Sequence, residues 1–306
     1  MTRINRIFFL FCICFIFFFG CTEPVKEPKP KKTKYKTTLH LGLIPEHDIF
    51  HQLKRYEPLA DYLSKKIQAN INLVILTRYG NIVDNFVSGG LDAAFFGSFT
   101  YTLAHSKLGV EVIARPENNL GISEYYGIIF VRKDSGIRSI KDMKGKILAC
   151  VDKATTAGHL FPMAYFKKNG IADYKTFFKE TYFTGTHEDA INDVLNGKAH
   201  VGAAKNTVFL RVADKNPRIN NELDIIAESS KVPENGLAVR KDLDESLKKK
   251  LKEALLNMDK ESDGIKVLND FGVKRFIETA DIDYVNVYKL LNHIGIKLST
   301  YEYMNE

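Results

Sequence analysis

Apolar residues along the chain fall into short runs separated by amphipathic stretches, after one longer run at the start. Leu39–Ile44 (LHLGLI), Ile71–Leu76, Leu91–Phe96 (LDAAFF), Glu111–Ala114, Tyr126–Arg132 (YGIIFVR), Lys146–Val151 (KILACV) and His200–Ala204 read as strands. Leu59, Tyr62 and Leu63 have helical spacing and mark a helix over Tyr56–Lys66, with Pro58 expected in its first turn. Asn81–Ser88, Phe99–Lys107, His159–Lys168 and His187–Asn196 read as further helices. Towards the end, Leu247, Leu251, Ala254, Leu255 and Met258 form an apolar stripe on a helix rich in Lys and Glu, a core-packing face. Strands alternating with helices predict an α/β fold with largely parallel sheets, and no internal repeat is visible.

The longer run, Ile7–Phe19, changes the picture of where the protein works. Arg3 and Arg6 precede it and Gly20-Cys21 closes it, which is the layout of a secretory signal. The run is too short to span a bilayer comfortably. A small residue before Cys21 resembles a bacterial lipoprotein signal, in which Cys21 is lipidated and becomes the new N-terminus; Phe18 is bulkier than usual for its position. An uncleaved anchor is the other reading, and both tether the protein outside the cytoplasm. The expected organisation is a signal peptide over 1–20 and a tether over 21–38. A first lobe follows over 39–130, a second over 131–228, and a return to the first with the C-terminal helices over 229–306. The tether has three Pro and six Lys between residues 22 and 38, and almost nothing that could pack.

Charge and cysteine content narrow the function. The 306 residues carry a formal charge of +7. Setting aside the two Arg of the signal, and the six Lys and two Glu of the tether, leaves 36 basic against 35 acidic residues of the original 44 and 37. The basicity belongs to the tail and does not point to a nucleic-acid partner. Of the four Cys, Cys12 and Cys14 leave with the signal and Cys21 takes lipid. Cys150 stays alone in an apolar strand, so no disulfide forms inside the folded part. No GxSxG, P-loop, HExxH or paired CxxC motif is present, so no catalytic residue, metal site or cofactor is expected. His47 and His51, four apart with Glu46 and Asp48 nearby, read as a solvated helix start.

Three segments have the composition of an anion site. Val151–Gly158 follows a strand and precedes a helix. Thr155 and Thr156 bring hydroxyl donors, and the small Ala157 and Gly158 let backbone N–H groups approach a ligand. An ordinary Thr cap is the alternative. Phe96–Tyr101 repeats the order of strand, small-residue turn and helix start, with Ser98 and Tyr101 as donors or as a cap and a core residue. Thr184–His187 enters a third helix, where a neutral His187 can donate one N–H or lie on the surface. In an open α/β sheet such turns gather at the carboxyl ends of strands, where ligands bind.

The blocks LGLIPEHD, LTRYGNIVD, LDAAFFGSFTYTLA, YGIIFVRKDSGIRSIKDMKGKILACVDKATTAG and THEDAINDVLNGKAHVGAAKN, with the helix LKKKLKEALLNM, occur in that order. In order and spacing they resemble the PhnD-like substrate-binding lipoproteins of ABC transporters for phosphate, phosphite and phosphonates, from about Leu39 to about Phe276. The resemblance implies two α/β lobes, each a mixed, mostly parallel sheet flanked by helices. Two crossing segments near Phe130 and Ser229 would join them around a ligand cleft. It implies that the oxyanion rests on Thr155, Thr156 and the amides of Ala157 and Gly158. Tyr79, Ser98 and Tyr101 would reach it from the first lobe and His187 from the second, with Asn206 lining the cleft. Two departures stand out: Ala157 replaces a third hydroxyl, and GAAKNTVF offers Lys205 but no acid, which tilts the expected ligand away from aminoalkyl phosphonates. Lys205 itself is read as a surface residue.

The expected function is therefore capture of a phosphorus oxyanion by cleft closure, outside the cytoplasm, by a lipid-anchored monomer that delivers it to an ABC permease. A sensory receptor for a signalling partner is the alternative within the binding class, and a secreted phosphoryl-transfer enzyme the alternative outside it.

Overall fold

The computed structural model describes residues 34–46, 49–88 and 90–305. The signal, Cys21 and most of the tether lie outside the described residues, as do His47 and Asp48. The chain begins with β1 (Thr38–Leu43), α1 (Ile49–Ile67), β2 (Asn70–Ile75), α2 (Asn81–Val87), β3 (Ala93–Phe96), α3 (Ser98–Leu108) and β4 (Glu111–Glu117). A two-residue strand, β5 (Glu124–Tyr125), leads out of this group. Next come β6 (Gly127–Arg132), β7 (Ile147–Cys150), α4 (Phe161–Lys168), α5 (Tyr174–Phe177), β8 (Glu180–Phe183), α6 (His187–Leu195), β9 (Val201–Lys205), α7 (Asn206–Lys215), α8 (Arg218–Glu222) and β10 (Leu223–Glu228). The chain returns through β11 (Val232–Pro233) and β12 (Gly236–Val239). It ends with α9 (Glu245–Leu256), α10 (Ser262–Phe271), β13 (Arg275–Glu278) and α11 (Val285–Ile294).

Two sheets result, in the orders β13-β4-β12-β3-β1-β2 and β10-β6-β9-β7-β8. They are mixed, and less parallel than the alternation of elements suggested. β1 runs parallel to β2 and β3, and β7 parallel to β8 and β9. Every other pairing in these sheets is antiparallel. The reason lies in the return crossing: β12 enters between β3 and β4 from the far lobe and so runs against both. β5 and β11 pair antiparallel, Tyr125 opposite Val232, and form the two-stranded connection between the lobes.

The crossing is therefore not at Phe130. That residue is fully buried in the middle of β6, paired with Gly202 of β9 and stacked against Phe209, well inside the second sheet. The outward crossing lies at β5, so β6 belongs to the second lobe. Ser229 stands just before the return crossing; its N–H donates to the Gly127 carbonyl, and its hydroxyl accepts from the Gly127 N–H. Pro58 also departs from expectation, because α1 begins seven residues earlier than predicted and Pro58 falls in its interior. An interior Pro costs about 3 kcal/mol. The buried stripe of Tyr56, Leu59, Leu63 and Ile67 offsets it against the sheet.

One apolar cluster covers the first sheet, where Tyr56 meets Phe95 and Phe271 edge to face and Phe276 packs tilted on Phe95. Another runs between the lobes and joins Tyr79, Phe96 and Phe99 of the first to Val151, Ala154 and Leu160 of the second. The lobes are thus closed on each other, and Lys34–Glu306 forms one compact unit. The C-terminal tail reinforces the closure. The Tyr301 ring packs on Phe99 at 5.3 Å between centroids and its hydroxyl donates to the Lys153 carbonyl, while Asn305 accepts from the Lys153 N–H. Cys150 ends β7 with no exposure, and burial pushes its thiol up to about 12, leaving it inert.

Within the second sheet, a Cβ on Gly202 would sit 2.6 Å from the Phe130 ring and 2.8 Å from Val194. Gly202→Ala is expected to lower stability by roughly 1–3 kcal/mol through overpacking. Urea unfolding of the variant beside the wild type measures it, and unchanged stability would show that the core yields at no cost.

Candidate ligand-binding site

At the mouth between the lobes, four strands turn directly into helices. β3 leads through Gly97 into α3, and β7 through Val151–Thr155 into a helix that opens with a wide π-turn (Thr156–Leu160) and continues as α4. β8 leads through Thr186 into α6, and β9 leads straight into α7. In each case the first turn of the helix presents amide N–H groups with no intrahelical acceptor, backed by the positive end of the helix dipole. At Thr156–Leu160 the first intrahelical bond is the Leu160 N–H to the Thr155 carbonyl, so the preceding amides have none within the helix. Residues at all four starts border one narrow cavity of about 10 Å³: Gly97 and Thr100, Thr155 and Thr156, His187, and Lys205. That is room for about one water molecule.

The hydrogen bonds around this cavity sort the expected residues. Thr156 accepts the Phe99 N–H through its Oγ1 at 2.9 Å, a buried bond from one lobe to the other, and its hydroxyl is also in hydrogen-bond contact with the Tyr125 phenol. Thr155 has spent its proton on the Asp152 carbonyl at 2.7 Å. His187 Nδ1 accepts the Lys205 N–H at 3.2 Å, so the ring proton sits on Nε2. Tyr79 is 2% exposed and meets the His187 ring edge to face at 6.0 Å. Its hydroxyl has no hydrogen-bond partner among the described residues, and burial drives the phenol well above its usual range. Tyr79, Thr155, Thr156 and His187 thus come together.

The other expected residues do not border the cavity. Ser98 donates its hydroxyl proton to the Pro233 carbonyl and locks α3 to the return crossing instead of facing a ligand. Tyr101 points one turn away and stacks on Tyr284, with ring centroids 4.3 Å apart, because helical spacing carries it round to the α11 side. Asn206 accepts the Tyr126 N–H and so ties α7 to the outward crossing. Ala157 and Gly158 are buried and are not among the residues that border the cavity. Gly158 serves close packing, since a Cβ there would fall 2.4 Å from Val151.

The structure adds a charged cluster that local motifs did not reveal. Lys205 is 4% exposed, not a surface residue. Its Nζ donates to Glu234 at 2.6 Å, Asn235 Oδ1 at 3.1 Å and Glu46 at 3.2 Å, and lies 4.4 Å from the centre of the Tyr125 ring. Burial works against the ammonium, but Glu234 and Glu46 outweigh it and hold Lys205 above the usual lysine range. GAAKNTVF brings no acid of its own, but acids from elsewhere in the chain stand beside Lys205. The acids arrive from distant loops, each directly after a Pro, at Pro45-Glu46 and Pro233-Glu234.

The family described as "ABC transporter, phosphonate, periplasmic substrate-binding protein" matches residues 41–284. The chain belongs to this family. Among relatives, it is 26% identical over 258 residues to the phosphonates-binding periplasmic protein of Escherichia coli, covering 82% of this chain and 75% of that one. It is 24% identical to a probable ABC transporter phosphite-binding protein of Prochlorococcus marinus, covering 85% and 90%. It is 26% identical to a phosphate-import protein of Mycolicibacterium smegmatis, covering 62% and only 61%. Two solved structures share the two-lobed fold. A binding-protein component of a Pseudomonas aeruginosa phosphonate transporter aligns with TM-score 0.78 at 23% identity, over 85% of this chain and 87% of that one. A P. marinus protein in complex with methylphosphonate aligns with TM-score 0.75 at 24% identity, over 85% and 98%. Family members are binding proteins that work outside the cytoplasm.

An unpaired buried hydroxyl costs about 1–3 kcal/mol. Tyr79→Phe is therefore expected to raise the melting temperature of the ligand-free protein while weakening anion binding. Differential scanning calorimetry and isothermal titration read the two effects. A variant that loses stability would show that the Tyr79 hydroxyl is satisfied in solution.

Proposed function

We propose that the protein captures a small phosphorus oxyanion — phosphate, phosphite or a short alkyl phosphonate — and presents it to an ABC permease. The observation that carries this reading is the meeting of four helix N-termini, with neutral donors, at one cavity between the lobes. Amides, the Thr156 hydroxyl, the Tyr79 phenol and His187 Nε2–H exchange for the hydration shell of the anion, and charge-assisted bonds of this kind contribute roughly 1.5–3 kcal/mol each. The relatives are a phosphonates-binding protein, a probable phosphite-binding protein and a phosphate-import protein, and all three ligands are tetrahedral phosphorus anions.

Entry requires the lobes to part, because the cavity lies between them and residues of both lobes line it. The ligand then bridges them and shifts the hinge equilibrium towards closure by its differential affinity for the closed state. No bond is made or broken in this cycle. The lipoprotein reading of Cys21 and the Lys-rich tether would hold the receptor at the membrane beside its permease.

The test is a thermal-shift panel on the chain expressed from residue 22. Phosphate, phosphite or methylphosphonate at 100 times its Kd should stabilise the protein by about 2.7 kcal/mol, and sulfate should act much more weakly. Thr156→Ala should weaken the best ligand by at least about tenfold, or ~1.4 kcal/mol, and His187→Ala by less. A panel in which no phosphorus oxyanion shifts the transition would reject the reading.

A further inference from the structure

The oxyanion reading leaves Lys205 without a role. A buried ammonium beside an anion cavity would serve most simply as a direct counter-charge, yet its Nζ is turned into Glu46, Glu234 and Asn235 and against the Tyr125 ring. Two carboxylates, an amide oxygen and an aromatic face are the groups that recognise an ammonium ligand. They come from three places: Glu46 from the loop after β1, Tyr125 from the outward crossing, and Glu234 and Asn235 from the return crossing. Lys205 reaches them from the end of β9. The chain has built a cation site and filled it with its own side chain.

The position of this site matters for the ligand. Beyond it lies a second chamber of about 190 Å³, bordered by the same Glu46, Lys205, Glu234 and Asn235. Lys205 and its partners form the wall between that chamber and the oxyanion cavity. A substituent on phosphorus that pointed this way would meet the Lys205 ammonium first. An amino group at the end of a short alkyl chain would meet its own charge, already seated between the two carboxylates.

We propose that Lys205 sets the ligand class, restricting the site to phosphorus oxyanions without an amino group by occupying, from within the chain, the cation site that an aminoalkyl phosphonate would need. The specificity half of this proposal rests on the oxyanion reading above; the cation-site half does not.

The experiment compares the wild type with Lys205→Ala, both expressed from residue 22. Calorimetric titration uses methylphosphonate and 2-aminoethylphosphonate, and melting temperatures are recorded in ethylammonium chloride and in sodium chloride of equal ionic strength. The wild type should prefer methylphosphonate by about 100-fold or more, and Lys205→Ala should narrow that ratio at least about tenfold. Ethylammonium should raise the melting temperature of Lys205→Ala and leave the wild type unchanged. An unchanged ligand preference in the variant overturns the proposal. If the wild type binds neither phosphonate and, in the panel above, neither phosphate nor phosphite, but ethylammonium still rescues the variant, the oxyanion reading falls and the cation site stands. Removing Lys205 takes from the buried Glu46 and the half-buried Glu234 the ammonium they share. Should Lys205→Ala fail to fold, the same measurements are made on Lys205→Ala with Glu46→Gln, which keeps the space and one carboxylate.

Discussion

Each strand that turns straight into a helix leaves amide N–H groups that no carbonyl of that helix can accept. Buried away from water, those groups must be satisfied from elsewhere. Four such turns meet between the two lobes of this protein, and their shared need for acceptors governs the site. Part of it is met across the cleft by the protein itself, as when Thr156 accepts the Phe99 N–H. That bond also holds the lobes closed, so the chemistry of the cavity and the position of the hinge are one problem. An anion that supplies better acceptors than the protein's own groups is bound by the same forces that close the lobes around it.

The charged cluster at the rim solves a different problem. Four positive helix ends favour an anion of any kind, and carboxylates at the same place would oppose it unless neutralised. Lys205 lies within ion-pair distance of both Glu46 and Glu234 and offsets one of their two charges, and the Arg211 guanidinium, which interacts with the same two carboxylates, offsets the other. Because Glu46, Lys205 and Glu234 sit on the first lobe, the second lobe and the return crossing, this ion pair is also a contact between moving parts. A buried pair of this kind adds little net stability compared with apolar packing, while breaking it is expensive. Its value here lies in fixing which partners meet when the lobes come together.

The closed state is further held by groups far along the chain. Tyr301 and Asn305, beyond the residues matched to the family, bind the Lys153 backbone beside the Thr155–Thr156 turn. The cluster from Tyr79 to Leu160 adds apolar contact across the cleft. Opening must break both, and the ligand repays that through bonds made to both lobes.

The amino-acid sequence alone determined the kinds of elements and their order, because hydrophobic periodicity and turn residues are local properties. It marked β1, β3 and β7, and the helices after β3 and β7, within about two residues, along with the strand–turn–helix starts at Gly97, Thr155 and His187, but placed the start of α1 seven residues late. It missed β12, four residues opening on Gly236, because so short a run declares itself only between two partner strands. For the same reason it overstated the parallel character of the sheets, since strand direction depends on where the returning chain inserts. At the site, the local turns were legible and the direction of side chains was not. Tyr101, Ser98 and Asn206 sit in the expected segments yet spend their polar groups on Tyr284's neighbourhood, Pro233 and Tyr126. Glu46, Lys205 and Glu234 lie far apart in sequence and carry no shared motif. Only the closure of two lobes over a common cavity brings their charges together, and a long-range electrostatic match of that kind leaves no local pattern to read.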